Sequence, residues 1–377
     1  MASTLKKHES WFKVKQVDHP TYEYDTETIQ RYDPKDDPRK IPVPLEEMTE
    51  RDKEYHLSKT GKRGYVGVQN SKLRLHNMKN KVPGYRGEDY ALAEAAWTVN
   101  LLMEKVAYRQ RRLRMNDDLT RSGDEWYRNE YTPDPKELTG QVKRAAKFFG
   151  ASLVGIAKVN PLWIYKTWKG DGKPITLPEG VDNVVVMAIE MDEDGIAATP
   201  ALANTAACGL GYLQVAISAS LMAEFIRNLG FQAIPAGNDV GLNIPLAIDA
   251  GLGQQGRNGI LVTPELGSRI RISKVFTDMP IIPDQPIDFG VNEFCATCKK
   301  CAEACEVEAI SFEDAPGWDP VCRANNPGAR KWYVDSEKCH EYWYDNASEC
   351  STCISVCTYT NGKHEITPEE FWMNKDS

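Results

Sequence analysis

The stretch Cys295-Ala-Thr-Cys298-Lys-Lys-Cys301-Ala-Glu-Ala-Cys305 places four thiols at spacings of two, two and three residues. Such a run gathers three thiolates around one iron–sulfur cluster and sends the fourth to a neighbouring cluster. A second group supplies the complement: Cys339, then Cys350, Cys353 and Cys357. Cross-ligation then gives one site from Cys295, Cys298, Cys301 and Cys357 and another from Cys305, Cys339, Cys350 and Cys353. All eight thiols are used, so two 4Fe–4S clusters are the expected cofactors. Two zinc sites and a disulfide framework stay open as alternatives. Glu306 and Thr358 stand where such runs commonly have proline, which shapes the turn and ligates nothing. Cys208 and Cys322 lie apart and read as bystanders.

A ferredoxin needs only this last unit, yet the chain has 377 residues, 41% of them hydrophobic. A larger domain therefore precedes the thiols, and the electrons are expected to serve a second cofactor there. Charged residues make up 27% and the net charge is -8, a balance that argues against nucleic acid as partner. No uninterrupted apolar run approaches the roughly 18 residues of a membrane span. Lys6 and Lys7 are not followed by an apolar core, so no signal peptide is expected in the sequence as written; a cytoplasmic protein and a mature or engineered form both fit that reading.

Three segments emerge: an N-terminal wrapping unit (1–133), an α/β domain (134–290) and a two-cluster unit with its tail (291–377). The first is dense in charge, tyrosine and proline, with a helical pattern at about 88–115. From Asp134 the pattern is regular. "DPKELTGQVKRAAKFFG" (134–150) reads as a helix with proline at its start and Gly150 as its stop. "SLVGIAKV" (152–159) and "NVVVMAIEM" (183–191) read as strands, the second apolar throughout as in a sheet buried on both faces. A long helix is expected from about Thr199 or Pro200 to Leu229, then a strand at "FQAIPA" and a short helix at "IPLAIDAGLG". Two strands joined at Pro264–Gly267 follow. Glycines cluster in 236–259, where backbone can approach a ligand closely; Gly251, Gly253 and Arg257 are the candidate cofactor contacts, with ordinary tight turns as the alternative. No nucleotide-binding glycine motif is present.

With the thiols placed after "GNDVGLNIPLAIDAGLGQQGRNGILVTPELGSRIRISKVFTDMP", the sequence resembles the corrinoid iron–sulfur reductive dehalogenases of organohalide-respiring bacteria. The resemblance runs from about 140 to 360 and includes "FIRNLGFQAIPAGND", "FCATCKKCAEAC" and "NNPGARKWYVDSEKC". "HESWFKVKQVDHPTYEYDTETIQRYD" near the start is similar to mature members from dehalogenating Chloroflexi. It implies an α+β fold: a nitroreductase-like corrinoid-binding core, a bacterial-ferredoxin-like unit and the N-terminal wrap. It implies a cobalamin-type corrinoid held base-off; the sequence has six histidines and no DxHxxG motif. It further implies a small organohalide as substrate, a low-potential electron donor, a small membrane-anchor protein, a homodimer, and a place at the outer face of the cytoplasmic membrane.

Carried residue by residue, the resemblance makes Tyr212 in "CGLGYLQVA" the proton donor. Asn238 in "AGNDVG" and Arg271 in "SRIRISK" assist, with Arg269 as rival. Read alone, Tyr212 would be core packing, Asn238 a turn former and Arg271 a strand charge. An arginine beside a tyrosine favours the phenolate, and an asparagine N–H can meet a developing anion. Trp97, Tyr90, Tyr108, Trp126, Trp163, Tyr165 and Trp168 could line an apolar substrate pocket or pack the core. After the last cysteine only a short tail remains, in which Phe371–Trp372 are expected to help close the site. The rival readings are an epoxyqueuosine reductase-type tRNA-modifying cobalamin enzyme and a non-catalytic electron or corrinoid carrier.

Overall fold

The computed structural model describes residues 11–38, 71–104, 134–168, 172–360 and 367–373. Its centre is a four-stranded antiparallel sheet built from β1 (Leu153–Lys158), β2 (Asn183–Glu190), β3 (Ala233–Ala236) and β4 (Ile270–Thr277), in the order β1-β2-β4-β3. The unbroken apolar run of β2 follows from its position. Alternate side chains of a strand face opposite ways. Val184, Val186 and Ala188 enter one core, and Val185, Met187 and Ile189 enter the other. The sheet is antiparallel all the same: two covered faces, rather than parallel pairing, produced the pattern.

Four helices matter for the site: α1 (Gly87–Glu104), α2 (Pro135–Phe148), α3 (Leu202–Asn228) and α4 (Asn243–Asp249). Helix α2 begins as the sequence predicts. The Asp134 side chain accepts from the Lys136 N–H, Pro135 occupies the first turn, and Gly150 just past the end has φ +98. Helix α3 is long and apolar enough to cross a membrane, although no uninterrupted run announced it. Its Gly, Ser, Thr and Asn residues break the run without lowering the average, and 61% of its apolar window is buried against the sheet and α1. The expected helix at 88–115 is seen as α1; residues 105–115, with Tyr108, lie outside the described residues, as does Trp126.

The two strands flanking Pro264–Gly267 part company. Leu261–Val262 pairs with Gln254–Gln255 in a small ribbon, and only β4 joins the main sheet. Gly251 and Gly253 serve this corner. A Cβ at Gly251 would lie 2.4 Å from the Gln285 carbonyl oxygen and one at Gly253 2.0 Å from that of Val262.

Described parts of the N-terminal segment pair with the rest of the chain. Lys15–Gln16 pairs with Ile287–Asp288, and Glu23–Tyr24 pairs with Ala329–Arg330. Arg31 donates to the carbonyls of Ile164 (2.9 Å) and Ile175 (2.7 Å). Tyr22 donates to Asp249 at the end of α4 (2.5 Å), and Trp163 Nε1 donates to the other carboxylate oxygen (3.1 Å). In the C-terminal tail, Trp372 Nε1 donates to Asp89 at the start of α1 (2.6 Å).

Burial pushes the Asp249 carboxyl up to about 6, against an ordinary value of 3.8, although Tyr22 and Trp163 pull it down. Its folded value lies above its unfolded value. Its contribution is therefore full below about pH 4 and is lost as pH rises through about 6. Asp249→Asn cannot lose that contribution. Relative to wild type, the variant is expected to gain about 1–3 kcal/mol of stability between pH 4 and pH 8. Thermal melts of both proteins across that range check it, and a constant gap would contradict it.

Candidate active site

Tyr212 lies in the third turn of α3, and two glycines let its neighbours come close. A Cβ at Gly209 would be 3.0 Å from the Trp97 ring of α1, and one at Gly211 would be 3.0 Å from Cγ of Arg271 on β4. Glycine inside a helix costs about 1 kcal/mol relative to alanine, so the pair marks close approach rather than helix preference. Trp97 packs on Tyr212 with ring centroids 5.7 Å apart, and its Nε1 donates to the Thr205 carbonyl (3.0 Å). The Arg271 guanidinium lies over the Tyr212 ring, 4.5 Å from its centroid. Asn238, in the turn after β3, donates its Nδ2 hydrogen to Tyr212 Oη (2.8 Å). The structure therefore brings Tyr212, Asn238 and Arg271 together. Asn238 is exposed and Tyr212 half-buried.

Arg269 is placed differently. It donates to the Met191 carbonyl (2.7 Å) and pairs with Glu190 (2.9 Å). Arg271 stays charged. Burial opposes its charge, but Tyr212 and Cys208 beside it outweigh burial and hold its value above the ordinary one. Its Nε is buried without a hydrogen-bond partner.

The structure places the thiols as follows. One cavity is lined by Cys295, Cys298, Cys301 and Cys357, with Arg257 and Tyr359 among its walls. Burial pushes Cys301 up to about 12, and Cys357, Cys295 and Cys298 add to it as like charges. Burial likewise pushes Cys339 up to about 12, with Cys350 and Cys305 as its charged neighbours. Cys353 is raised by burial and then by Cys350, Cys339, Cys301 and Cys305. Two sets of crowded thiols thus lie side by side. As thiolates they repel one another, so each set calls for a positively charged core.

Arg257 belongs to the first set rather than to Tyr212. It is buried and donates to the carbonyls of Cys295 (2.6 Å), Cys298 (3.2 Å), Ser311 (2.7 Å) and Glu313 (2.7 Å) while lying over the Trp332 ring. Gly251 and Gly253 likewise meet backbone within the protein. The contacts seen for these three candidate cofactor residues are with the protein's own backbone, as in close chain packing.

Sequence reading missed Glu349. It is buried beside Cys350, and burial pushes its carboxyl up to about 7, with Thr205, Arg74 and Arg271 pulling the other way. Arg74, also missed, donates to the Ala347 carbonyl (3.2 Å) and pairs with Glu94 (2.7 Å). Neither carries a motif; only the fold brings residues 74, 271 and 349 near one another. Of the candidate aromatics, Trp97 meets Tyr212. Trp163 holds Asp249, Tyr165 packs on Tyr32, and Tyr90 lies under Arg74.

Gly211→Ala is expected to push Arg271 off the Tyr212 ring. Turnover should fall about tenfold, equivalent to ~1.4 kcal/mol, and thermal stability should fall with it, because the buried arginine is driven from the groups that answer its charge. A stability loss with full turnover would contradict it.

No protein-family model matches the chain. Over 265 residues it is 38% identical to a tetrachloroethene reductive dehalogenase of Desulfitobacterium hafniense, covering 59% of this chain and 48% of that one. Over 334 residues it is 34% identical to the tetrachloroethene reductive dehalogenase of Sulfurospirillum multivorans, covering 78% of this chain and 66% of that one. The chain thus spans about half to two thirds of the length of these curated relatives. A solved reductive dehalogenase structure, described as suggesting a mechanism for B12-dependent dehalogenation, matches with TM-score 0.66 at 25% identity, covering 96% of this chain and 45% of that one. Similarity at this level reaches both the central sheet and the thiol-rich unit, and the chain belongs to the reductive dehalogenase family.

Proposed function

We propose that the protein replaces halogen by hydrogen on a small organohalide, consuming two electrons and one proton and releasing halide. The observation that carries this reading is the Tyr212 hydroxyl held by Asn238 (2.8 Å) and backed by Arg271 (4.5 Å) in a chain that ends in two thiol sets. A bound corrinoid, held base-off, would supply the reduced cobalt that delivers the electron pair to the carbon–halogen bond. Tyr212 gives the proton. The Arg271 cation and the Asn238 N–H both favour the phenolate left behind. Trp97 keeps water from one side of the ring. The polar atoms of Tyr212 and Asn238 stand on an exposed side, where a flat, large cofactor can meet them.

Two 4Fe–4S clusters suit the thiols better than zinc. A tetrahedral zinc holds four thiolates about 4 Å apart. Among the described residues no three His, Cys, Asp or Glu side chains converge tightly enough for a single ion, whereas four thiols ring one cavity. The second set adjoins the site: Cys353 packs in one apolar cluster with Tyr212, Cys208 and Trp97. A cluster held by Cys305, Cys339, Cys350 and Cys353 would supply its electrons next to Tyr212. The resemblance supports a low-potential donor, a small membrane-anchor protein, a homodimer and a place on the outer face of the cytoplasmic membrane. The names of the relatives support tetrachloroethene as the first substrate to assay.

Tyr212→Phe should abolish dechlorination of tetrachloroethene by reduced viologen while corrinoid and iron contents stay unchanged. Near-normal turnover, or activity on an epoxyqueuosine-containing tRNA stem–loop instead, would overturn the reading. The holoprotein should contain about eight irons. Cys357→Ala should lose the same cluster signal in electron paramagnetic resonance as Cys298→Ala, and Cys305→Ala the other. Zinc in place of iron, or a Cys305→Ala spectrum matching that of Cys298→Ala, would refute the cross-ligated pair.

A further inference from the structure

We infer that Lys274 and Asn243 are positioning residues that set the direction of the hydrogen bond on Tyr212, through Asn238. This rests on the reading of Tyr212 as proton donor. Residues 271 and 274 of β4 are three apart, so they leave the strand on opposite faces. Arg271 approaches Tyr212 from one face. Lys274 lies on the other, fully buried, at the register of Ala236 and so beneath the turn that carries Asn238. Its Nζ donates to the Gly237 carbonyl and to Asn243 Oδ1 (2.5 Å). Asn243 Nδ2 donates to Asn238 Oδ1 (2.7 Å), and Asn238 Nδ2 donates to Tyr212 Oη (2.8 Å).

A carboxamide can present either its oxygen or its NH2 group, and the two orientations fill the same space. Here the choice is forced from one end. An ammonium only donates, so Asn243 must turn its oxygen to Lys274 and its NH2 outward. Asn238 must then turn its oxygen to Asn243 and its NH2 to Tyr212. Tyr212 Oη is left as the acceptor of that bond, and its own hydrogen points elsewhere, free to be given up. With the amides reversed, the Asn238 oxygen would capture the phenolic hydrogen and hold it away from substrate. The bond to a charged donor is about twice as strong as a neutral one, which lets one buried lysine bias both amides.

Asn243→Asp separates this role from a packing role. The new carboxylate satisfies Lys274 but has no hydrogen to give to Asn238 Oδ1. Asn238 then reverses and its oxygen faces Tyr212. In the holoenzyme assayed with tetrachloroethene and reduced viologen, kcat should fall about tenfold or more. KM should change less than about twofold, and the solvent deuterium isotope effect on kcat should rise. In an Asn238→Ala background the same substitution should cost less than about twofold further, because it acts through Asn238. Turnover near wild type, or an equal loss in both backgrounds, would overturn the inference. If the variant fails to load corrinoid or iron, neutron diffraction of the wild-type protein decides. Deuterium on Asn243 Nδ2 facing Asn238 and on Asn238 Nδ2 facing Tyr212 supports the chain, and the reverse orientation overturns it. An active Tyr212→Phe would sink the proton-donor reading beneath; an inactive Tyr212→Phe with a silent Asn243→Asp would sink only the amide chain.

Discussion

The guanidinium of Arg271, 4.5 Å from the centre of the Tyr212 ring, is the contact on which the arrangement depends. It joins the central strand of the sheet to the long core helix, and it needs Gly211 to come that close. A buried cation is costly unless charge or hydrogen bonds answer it. Tyr212 and Cys208 answer this one, so the arginine stays charged. A guanidinium over a phenol ring is a favourable cation–π contact, and it would also favour a phenolate there. The contact therefore links packing and chemistry in one place.

The thiol-rich unit is built on the same principle with the signs exchanged. Burial raises Cys301 and Cys339 among its crowded cysteines, and a positive inorganic core would answer the charge of their thiolates. Arg257 holds the loop in place by binding five carbonyls within and after the first cysteine run, and Trp332 covers its guanidinium. Cys353, from the second run, packs into the apolar cluster that contains Tyr212. The late position of the ferredoxin-like run fits this docking: Cys353 of the second thiol set lies against the helix that carries Tyr212.

Much of the fold was legible because its signals are local. Asp134, Pro135 and Gly150 bound a helix by backbone chemistry alone. The apolar run of β2 announced two covered faces, yet it could not distinguish parallel from antiparallel pairing, because both bury a strand equally. The glycines at 251 and 253 were ambiguous for a similar reason. A glycine reports only that something comes close, and here that is the backbone at Gln285 and Val262.

The sequence by itself pointed to Cys295, Cys298, Cys301 and Cys357 as one group, which line one cavity in the structure, since cysteine spacing limits which sulfurs can meet. It also supplied Tyr212, Asn238 and Arg271 as a set, through resemblance. Only the tertiary structure shows which of Arg269 and Arg271, two residues apart, meets Tyr212. The first turns to Glu190 and Met191, the second to Tyr212. Only the tertiary structure brought Lys274, Asn243, Glu349 and Arg74 to the site. Their partners lie across the sheet or at the far end of the chain, and no local pattern records a contact between residues so widely separated.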